Sequence, residues 1–131
     1  ENLLLTKSES GQLKLCDFGL SRQLSPDTPE TCRFGTPEFV APETVAKEPV
    51  HLTTDVWSTG VLLYVLLSGV SPFMGNNDKE TYTRVKAGRW AFDQKIFNHI
   101  SNEAKDFITK MLVVDPKKRP TASQCLQDVW I

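Results

Sequence analysis

Four short polar runs carry the side chains with chemistry to offer: Asp17-Phe18-Gly19, Ala41-Pro42-Glu43, Asp55-Val56-Trp57-Ser58-Thr59-Gly60 and Asp115-Pro116-Lys117-Lys118-Arg119-Pro120. Taken singly, each has an ordinary structural explanation. Asp17 can close a strand as an Asx-turn, and Gly19 supplies backbone freedom beside it. Asn2 can cap a turn with its amide, and Thr36 reads as a turn residue. Asp55 suits the dipole at a helix start; on the rim of a buried helix its carboxylate could instead hold neighbouring backbone. Cys16, Cys32 and Cys125 are odd in number and far apart, with no Cys-x-x-Cys or His spacing. They read as reduced thiols in a cytosolic protein rather than as a disulfide frame or zinc site. His51 and His99 are isolated, as surface or core histidines usually are.

The elements that must position these groups are organised around residues 53–69, TTDVWSTGVLLYVLLSG. This stretch is apolar on nearly every side, so it reads as a buried helix wrapped by other elements. Its unbroken run 61–67 is too short to span a bilayer. Thr53 or Thr54 can cap its start, and Gly69 with Pro72 stops it. Upstream, residues 3–6 and 13–16 are short apolar segments on either side of a polar link, the second alternating, and predict a β-hairpin. Residues 20–39 carry Pro26, Pro29 and Pro37 and predict a long irregular loop, of the kind that is functional or disordered. A short helical turn starts at 41–43, with Pro at a first-turn position. Asp78 is placed as the cap of a polar helix through Ala87, closed by Gly88. Ser101 caps a one-sided helix burying Ala104, Phe107, Ile108, Met111 and Leu112. Thr121 to Gln124 has capping-box spacing, with Leu126 and Val129 continuing the last helix. One hairpin, one long loop and four or five helices make an α+β arrangement, or the mainly helical part of one.

The order and spacing of the runs add what no run gives alone. Asp-Phe-Gly follows a hairpin strand, a long loop ends at Ala-Pro-Glu, and a buried helix opens Asp-Val-Trp-Ser-x-Gly before the Asp115–Pro120 run. This sequence resembles a eukaryotic protein kinase over essentially all 131 residues. The resemblance implies a partial protein-kinase-like fold: a mainly helical C-terminal lobe with a short N-terminal hairpin. GTPEFVAPE and YVLLSGVSPF look most like the calmodulin-dependent group, in its myosin light chain kinase, death-associated kinase and titin/twitchin/obscurin-like branch.

Residue roles follow from that resemblance. Glu1-Asn2 look like the end of the catalytic loop, so the catalytic Asp would lie just before residue 1. Asn2 and Asp17 are the implied magnesium ligands, and ATP is the implied nucleotide. Leu4 and Cys16 match positions beneath and beside the adenine. Phe18 would pack inward and govern the aim of Asp17, with Gly19 permitting the rotation. Thr36 matches the substrate-facing threonine of Ser/Thr kinases, whose hydroxyl bonds to the catalytic Asp and its neighbouring Lys. Glu43 and Arg119 match a buried ion pair, and Asp55 matches the carboxylate that holds the catalytic loop from below. Val65 stands where cyclic-AMP-dependent kinases carry a glutamate that reads a substrate arginine. Ser25, Thr28 and Thr31 are candidate phosphorylation sites in the activation loop.

The implied activity is transfer of the ATP γ-phosphate to Ser or Thr of a protein substrate. The 131 residues contain no glycine-rich lid, ATP lysine or catalytic Asp, so the chain alone is expected to be inactive and marginally stable. The alternative is a pseudokinase or scaffold lobe that binds protein partners without catalysis. A regulatory tail or calmodulin-binding helix is expected after residue 131. The formal net charge of −1 points to neither nucleic acid nor membrane. With no basic region before the leucines of residues 3–5, no signal peptide is expected. A cytoplasmic, cytoskeleton-associated location is the expectation.

Overall fold

The computed structural model describes residues 2–7, 11–25, 27–32 and 35–131. Glu1, residues 8–10 of the hairpin link and Pro26 lie outside the described residues. The expected hairpin forms. Strand β1 (Leu3–Leu5) pairs antiparallel with β2 (Leu13–Leu15), Leu3 opposite Leu15. Pairing runs on past both strands, with Thr6 N donating to Gln12 O at 2.9 Å and Cys16 N to Asn2 O at 3.0 Å. The hairpin leucines stay exposed, from 38 % at Leu3 to 72 % at Leu5. Hydrogen bonds rather than burial therefore set its register.

Between β2 and the first helix the described residues form no strand or helix, as expected of the long loop. One isolated bridge, Thr31 to Pro49, tethers it, and another, Ser25 to Thr28, joins two of its own residues. Helix α1 (Pro42–Ala46) starts with Pro where no backbone donor is lost. Helix α2 (Thr54–Ser68) is the stretch expected to organise the fold, and it ends on Gly69 in the left-handed region at φ 74°.

Two expectations about α2 are corrected. Its buried residues Trp57, Gly60, Val61 and Tyr64 recur at helical spacing and mark one face, while Leu66 is 72 % exposed. The helix is thus packed on one side rather than wrapped. Neither threonine caps it with a side-chain bond. Thr53 Oγ1 donates to Pro116 O at 2.8 Å, and Thr54 Oγ1 donates to Glu43 Oε1 at 2.7 Å. Tertiary acceptors have taken both hydroxyls.

Helix α3 (Asp78–Ala87) is capped by Asn77, whose side chain accepts from Glu80 N at 3.0 Å, and not by Asp78. Helix α4 (Gln94–Phe97) was not foreseen; four residues are too few to show a period. Helix α5 (Asn102–Met111) is capped by Ser101 and buries the apolar stripe read from its spacing. A 3-10 turn at Pro116–Lys118 leads to α6 (Ala122–Cys125), which has the capping box of Thr121 and Gln124. That helix stops early. Leu126 and Val129 are 75 % and 82 % exposed, outside the helix they were expected to continue.

The main core joins Trp57, Val61 and Tyr64 of α2 to Phe73, Val85, Phe97, Ile108 and Leu112. A smaller cluster joins Val56 to Phe107 and Met111, with Trp130 and Cys125 against it. At Gly60 α2 and α5 meet closely: a Cβ there would lie 2.9 Å from Met111 Cβ. Among the described residues no helix is long and apolar enough to cross a membrane.

The split between the two sides of α2 and its partners is measurable. Ile108→Ala empties a fully buried position and is expected to cost about 2–5 kcal/mol. Leu66→Ala on the open face is expected to change stability by no more than about 0.5 kcal/mol. Urea titration of both variants checks the contrast.

Candidate functional site

Several of the residues singled out in the sequence meet at one cleft. Asp17, Thr36 and Asp55 all line a concavity of about 560 Å³ between the irregular segment after β2 and the start of α2. Leu20, Thr31, Cys32, His51 and Ser58 line it too. Its floor is the rigid end of α2 and its wall is loop. That combination suits a site in which a scaffold positions mobile reacting groups.

Asp17 stands where the hairpin opens. Its backbone takes a positive φ of 62°, uncommon for a residue with a side chain but tolerated best by Asp and Asn. Gly19 N donates to Asp17 Oδ1 at 3.3 Å, so the Asx-turn read from the sequence is present. This bond engages one carboxylate oxygen, and Asp17 remains exposed. Backbone strain of this kind concentrates at functional positions. Asn2 is brought to the same end of the hairpin, because its carbonyl accepts from both Cys16 N at 3.0 Å and Cys16 Sγ at 3.6 Å. Asn2 and Asp17 are thus one residue apart across the ladder. Leu4 is on the exposed hairpin, and Cys16 is half-buried.

Phe18 departs from expectation. It is 63 % exposed instead of packed inward. The hairpin leucines are themselves exposed, so the described residues at this end offer no buried apolar wall to receive the ring.

Thr36 is exposed at the head of a tight turn in which Phe39 N donates to Thr36 O at 2.9 Å. Gly35, at φ 147°, closes that turn where a Cβ would fall 2.5 Å from Val40 Cγ1. Only glycine fits there without a shift. Ser25, Thr28 and Thr31 are all exposed. Ser25 Oγ accepts from Asp27 N at 3.4 Å, and Glu30 O accepts from Val50 N at 2.8 Å beside the Thr31 bridge. Val65 packs partly buried against the core.

Below the cleft, Glu43 and Arg119 form a two-point ion pair, at 2.8 and 2.7 Å, with side chains 2 % and 0 % exposed. Arg119 also donates to the carbonyls of Val113, Val114 and Thr53 at 2.7, 3.0 and 3.1 Å. Its guanidinium carbon lies 5.1 Å from the centre of the Trp57 ring. Every donor group of the arginine thus has an acceptor or a ring face. Burial pushes the Glu43 carboxyl up, but hydrogen bonds from Arg119 and Thr54 and the guanidinium charge bring it below its ordinary 4.5. Sequence reasoning found the pair and missed Trp57 and Thr54 as its supports. No local signal marks them, because the contacts join separate elements.

The described residues contain no group of three or more His, Cys, Asp or Glu gathered for a metal. A cation at Asp17 would take most of its ligands from amide oxygen, water or phosphate, which is how magnesium is usually held.

Residues 1–131 match the family model for the protein kinase domain. The chain is 47 % identical over its whole length to smooth-muscle myosin light chain kinase of Gallus gallus, spanning 7 % of that protein. It is also 47 % identical to the titin homolog of Caenorhabditis elegans, spanning 1 % of it. Identity to myosin light chain kinase family member 4 of Mus musculus is 46 %, over 34 % of that protein. The twitchin kinase region of C. elegans superposes with a TM-score of 0.93 at 47 % identity, covering 98 % of this chain and 23 % of that one. The chain therefore spans about a third or less of the relatives it matches.

Breaking the buried pair strands a charge. Arg119→Met or Glu43→Gln is expected to cost about 3–5 kcal/mol by denaturant titration. The folded value of Glu43 lies below its unfolded one, so its contribution is complete above pH 4.5 and is lost as pH falls through the lowered folded value. The stability gap between wild type and Glu43→Gln should accordingly narrow in acid.

Proposed function

The chain belongs to the protein kinase domain family, and from that premise we propose that it forms the later part of the catalytic domain of a Ser/Thr kinase. The reaction is transfer of the γ-phosphate of ATP to a Ser or Thr hydroxyl of a protein. One observation carries this reading: Asp17, Thr36 and Asp55, 38 positions apart at the extremes (55 − 17), line a single cleft.

Phosphoryl transfer asks mainly for charge neutralisation and alignment. Asp17 and Asn2, at the open end of the hairpin, would hold magnesium with the nucleotide. The metal supplies neutralising charge to the phosphates when bound. The exposed carboxylate and the neighbouring amide suit an ion that keeps much of its coordination for phosphate and water. Leu4 and Cys16 offer the hairpin surface to the adenine. Gly19 and Phe18 set the aim of Asp17, and the open ring of Phe18 is ready to dock against a wall supplied by the remainder of the domain.

Thr36, on its closed turn over the cleft, uses its hydroxyl to orient the catalytic Asp and its neighbouring Lys beside the substrate hydroxyl. Asp55, exposed at the rim of α2, accepts backbone N–H groups of the catalytic loop from below. The buried Glu43–Arg119 pair ties the downstream end of the loop, at the start of α1, to the helical base. Similarity to myosin light chain kinases and to titin and twitchin kinases supports a place in the calmodulin-dependent branch. A cytoskeletal protein substrate and control by a calmodulin-binding tail fit that branch. Half-buried, apolar Val65 favours substrate selection by something other than an acidic residue at that position.

Asp17 is exposed, so its substitution should leave the fold intact while removing charge stabilisation. In the intact kinase, Asp17→Asn is expected to lower kcat by about 10²–10³, read as radiolabelled phosphate transferred to a Ser-containing peptide. The 131-residue chain by itself is expected to transfer none; measurable ATP-dependent phosphorylation by the purified chain would overturn the assignment of missing catalytic groups.

A further inference from the structure

We propose that Ser58 is a positioning residue for the substrate loop 35–40, acting through the carbonyl of Phe39. The proposal rests on the reading of this loop as substrate-facing, and it adds the contact that ties the loop directly to α2.

Beyond its first residue, helix α2 carries three Ser or Thr side chains, at positions 58, 59 and 68. Two of them bond back into their own helix: Thr59 Oγ1 donates to Asp55 O at 2.8 Å and Ser68 Oγ to Tyr64 O at 2.6 Å. This back-bonding is the default for a hydroxyl inside a helix. Ser58 does otherwise. Its Oγ leaves the helix and donates to Phe39 O, 19 residues upstream, at 2.8 Å in a partly buried setting.

Phe39 is the far end of the turn that carries Thr36. Its N–H donates to Thr36 O at 2.9 Å, while its carbonyl is the acceptor for Ser58. Its side chain is half-buried against the main core. A peptide unit held at both its N–H and its carbonyl has little freedom to rotate, and Gly35 against Val40 closes the other side of the turn. The position of Thr36 is therefore referred to α2 through a continuous pair of hydrogen bonds. Both Ser58 and Thr36 line the cleft, so the anchor lies within the site it orients.

The Glu43–Arg119 pair does not substitute for this contact. It fixes α1, which begins after the loop, and makes no contact with the turn itself, whereas Ser58 bonds directly to Phe39. With Ser58 removed, the Phe39 carbonyl loses its donor in a region of restricted water access. The turn then trades a single conformation for several, and peptide alignment suffers more than nucleotide binding.

The test has two arms, so that failure of the kinase reading and failure of this proposal are separable. In the first, amide hydrogen exchange is followed by mass spectrometry over residues 35–41 of wild type, Ser58→Ala and Ser58→Thr in the intact kinase. Ser58→Ala is expected to speed exchange there about 3- to 10-fold, the loss of one hydrogen bond, while Ser58→Thr, which keeps the hydroxyl, restores protection. In the second, steady-state kinetics should show the peptide KM raised by a similar factor in Ser58→Ala, with the ATP KM unchanged and recovery in Ser58→Thr. Unchanged exchange in Ser58→Ala overturns the proposal, as does faster exchange with an unchanged peptide KM. A parallel rise in both the peptide and the ATP KM also overturns it, as the mark of general loosening. Absence of phosphotransfer in wild type defeats the kinase reading alone, and the exchange arm then still decides whether Ser58 holds the loop.

Discussion

The arrangement of this chain depends on one buried contact, the pairing of Glu43 with Arg119. Two full charges removed from water are costly, and their mutual attraction offsets that cost only when geometry and the remaining hydrogen bonds are complete. Here they are. The carboxylate receives two guanidinium bonds and one from Thr54, and the guanidinium also reaches three carbonyls and the face of Trp57. An apolar pair of equal volume could fill the space, but would leave the carbonyls of Thr53, Val113 and Val114 without this donor. The contact thus joins the start of α1, the start of α2 and the segment after α5 at a single point.

That junction explains how irregular backbone can serve as a working surface. The described residues of the loop after β2 form neither strand nor helix, and a free segment of this length would sample many shapes. Its downstream end is fixed by α1 and the ion pair, its middle by the bridge from Thr31 to Pro49, and the turn at Thr36 by Ser58. Each tether lands on or beside α2. The helix is therefore a platform more than a core filler, with one side given to packing and its N-terminal end to the cleft.

Apolar surface on the rest of the molecule is distributed unevenly. The hairpin leucines, Phe18, Leu66, Leu126 and Val129 all face solvent. The hairpin stands apart from the helical core and relies on its backbone ladder, a marginal way to hold two short strands. It is also where Asn2 and Asp17 are placed. The groups assigned to metal and nucleotide are consequently on the least supported part of the structure, while Thr36, Asp55 and the ion pair rest on the most supported part.

Local patterns in the sequence determined a good deal. Short apolar segments on either side of a polar link gave β1 and β2, one-sided spacing gave the buried stripe of α5, and capping chemistry placed Ser101 and the Thr121–Gln124 box. These features arise within a few residues, where side-chain period and hydrogen-bonding reach are set by backbone geometry. The motif order identified the family, and with it the pairing of Glu43 and Arg119. What only the tertiary structure decided has the opposite character. Thr53 and Thr54 gave up capping for acceptors on distant segments, Ser58 left its own helix for Phe39, and Trp57 became the ring under Arg119. Asn77 took the cap expected of Asp78, Phe18 stayed open, and Leu66 remained wet. Hydroxyls and rings have several partners of nearly equal worth, so the choice among them falls to whichever element packing brings within reach.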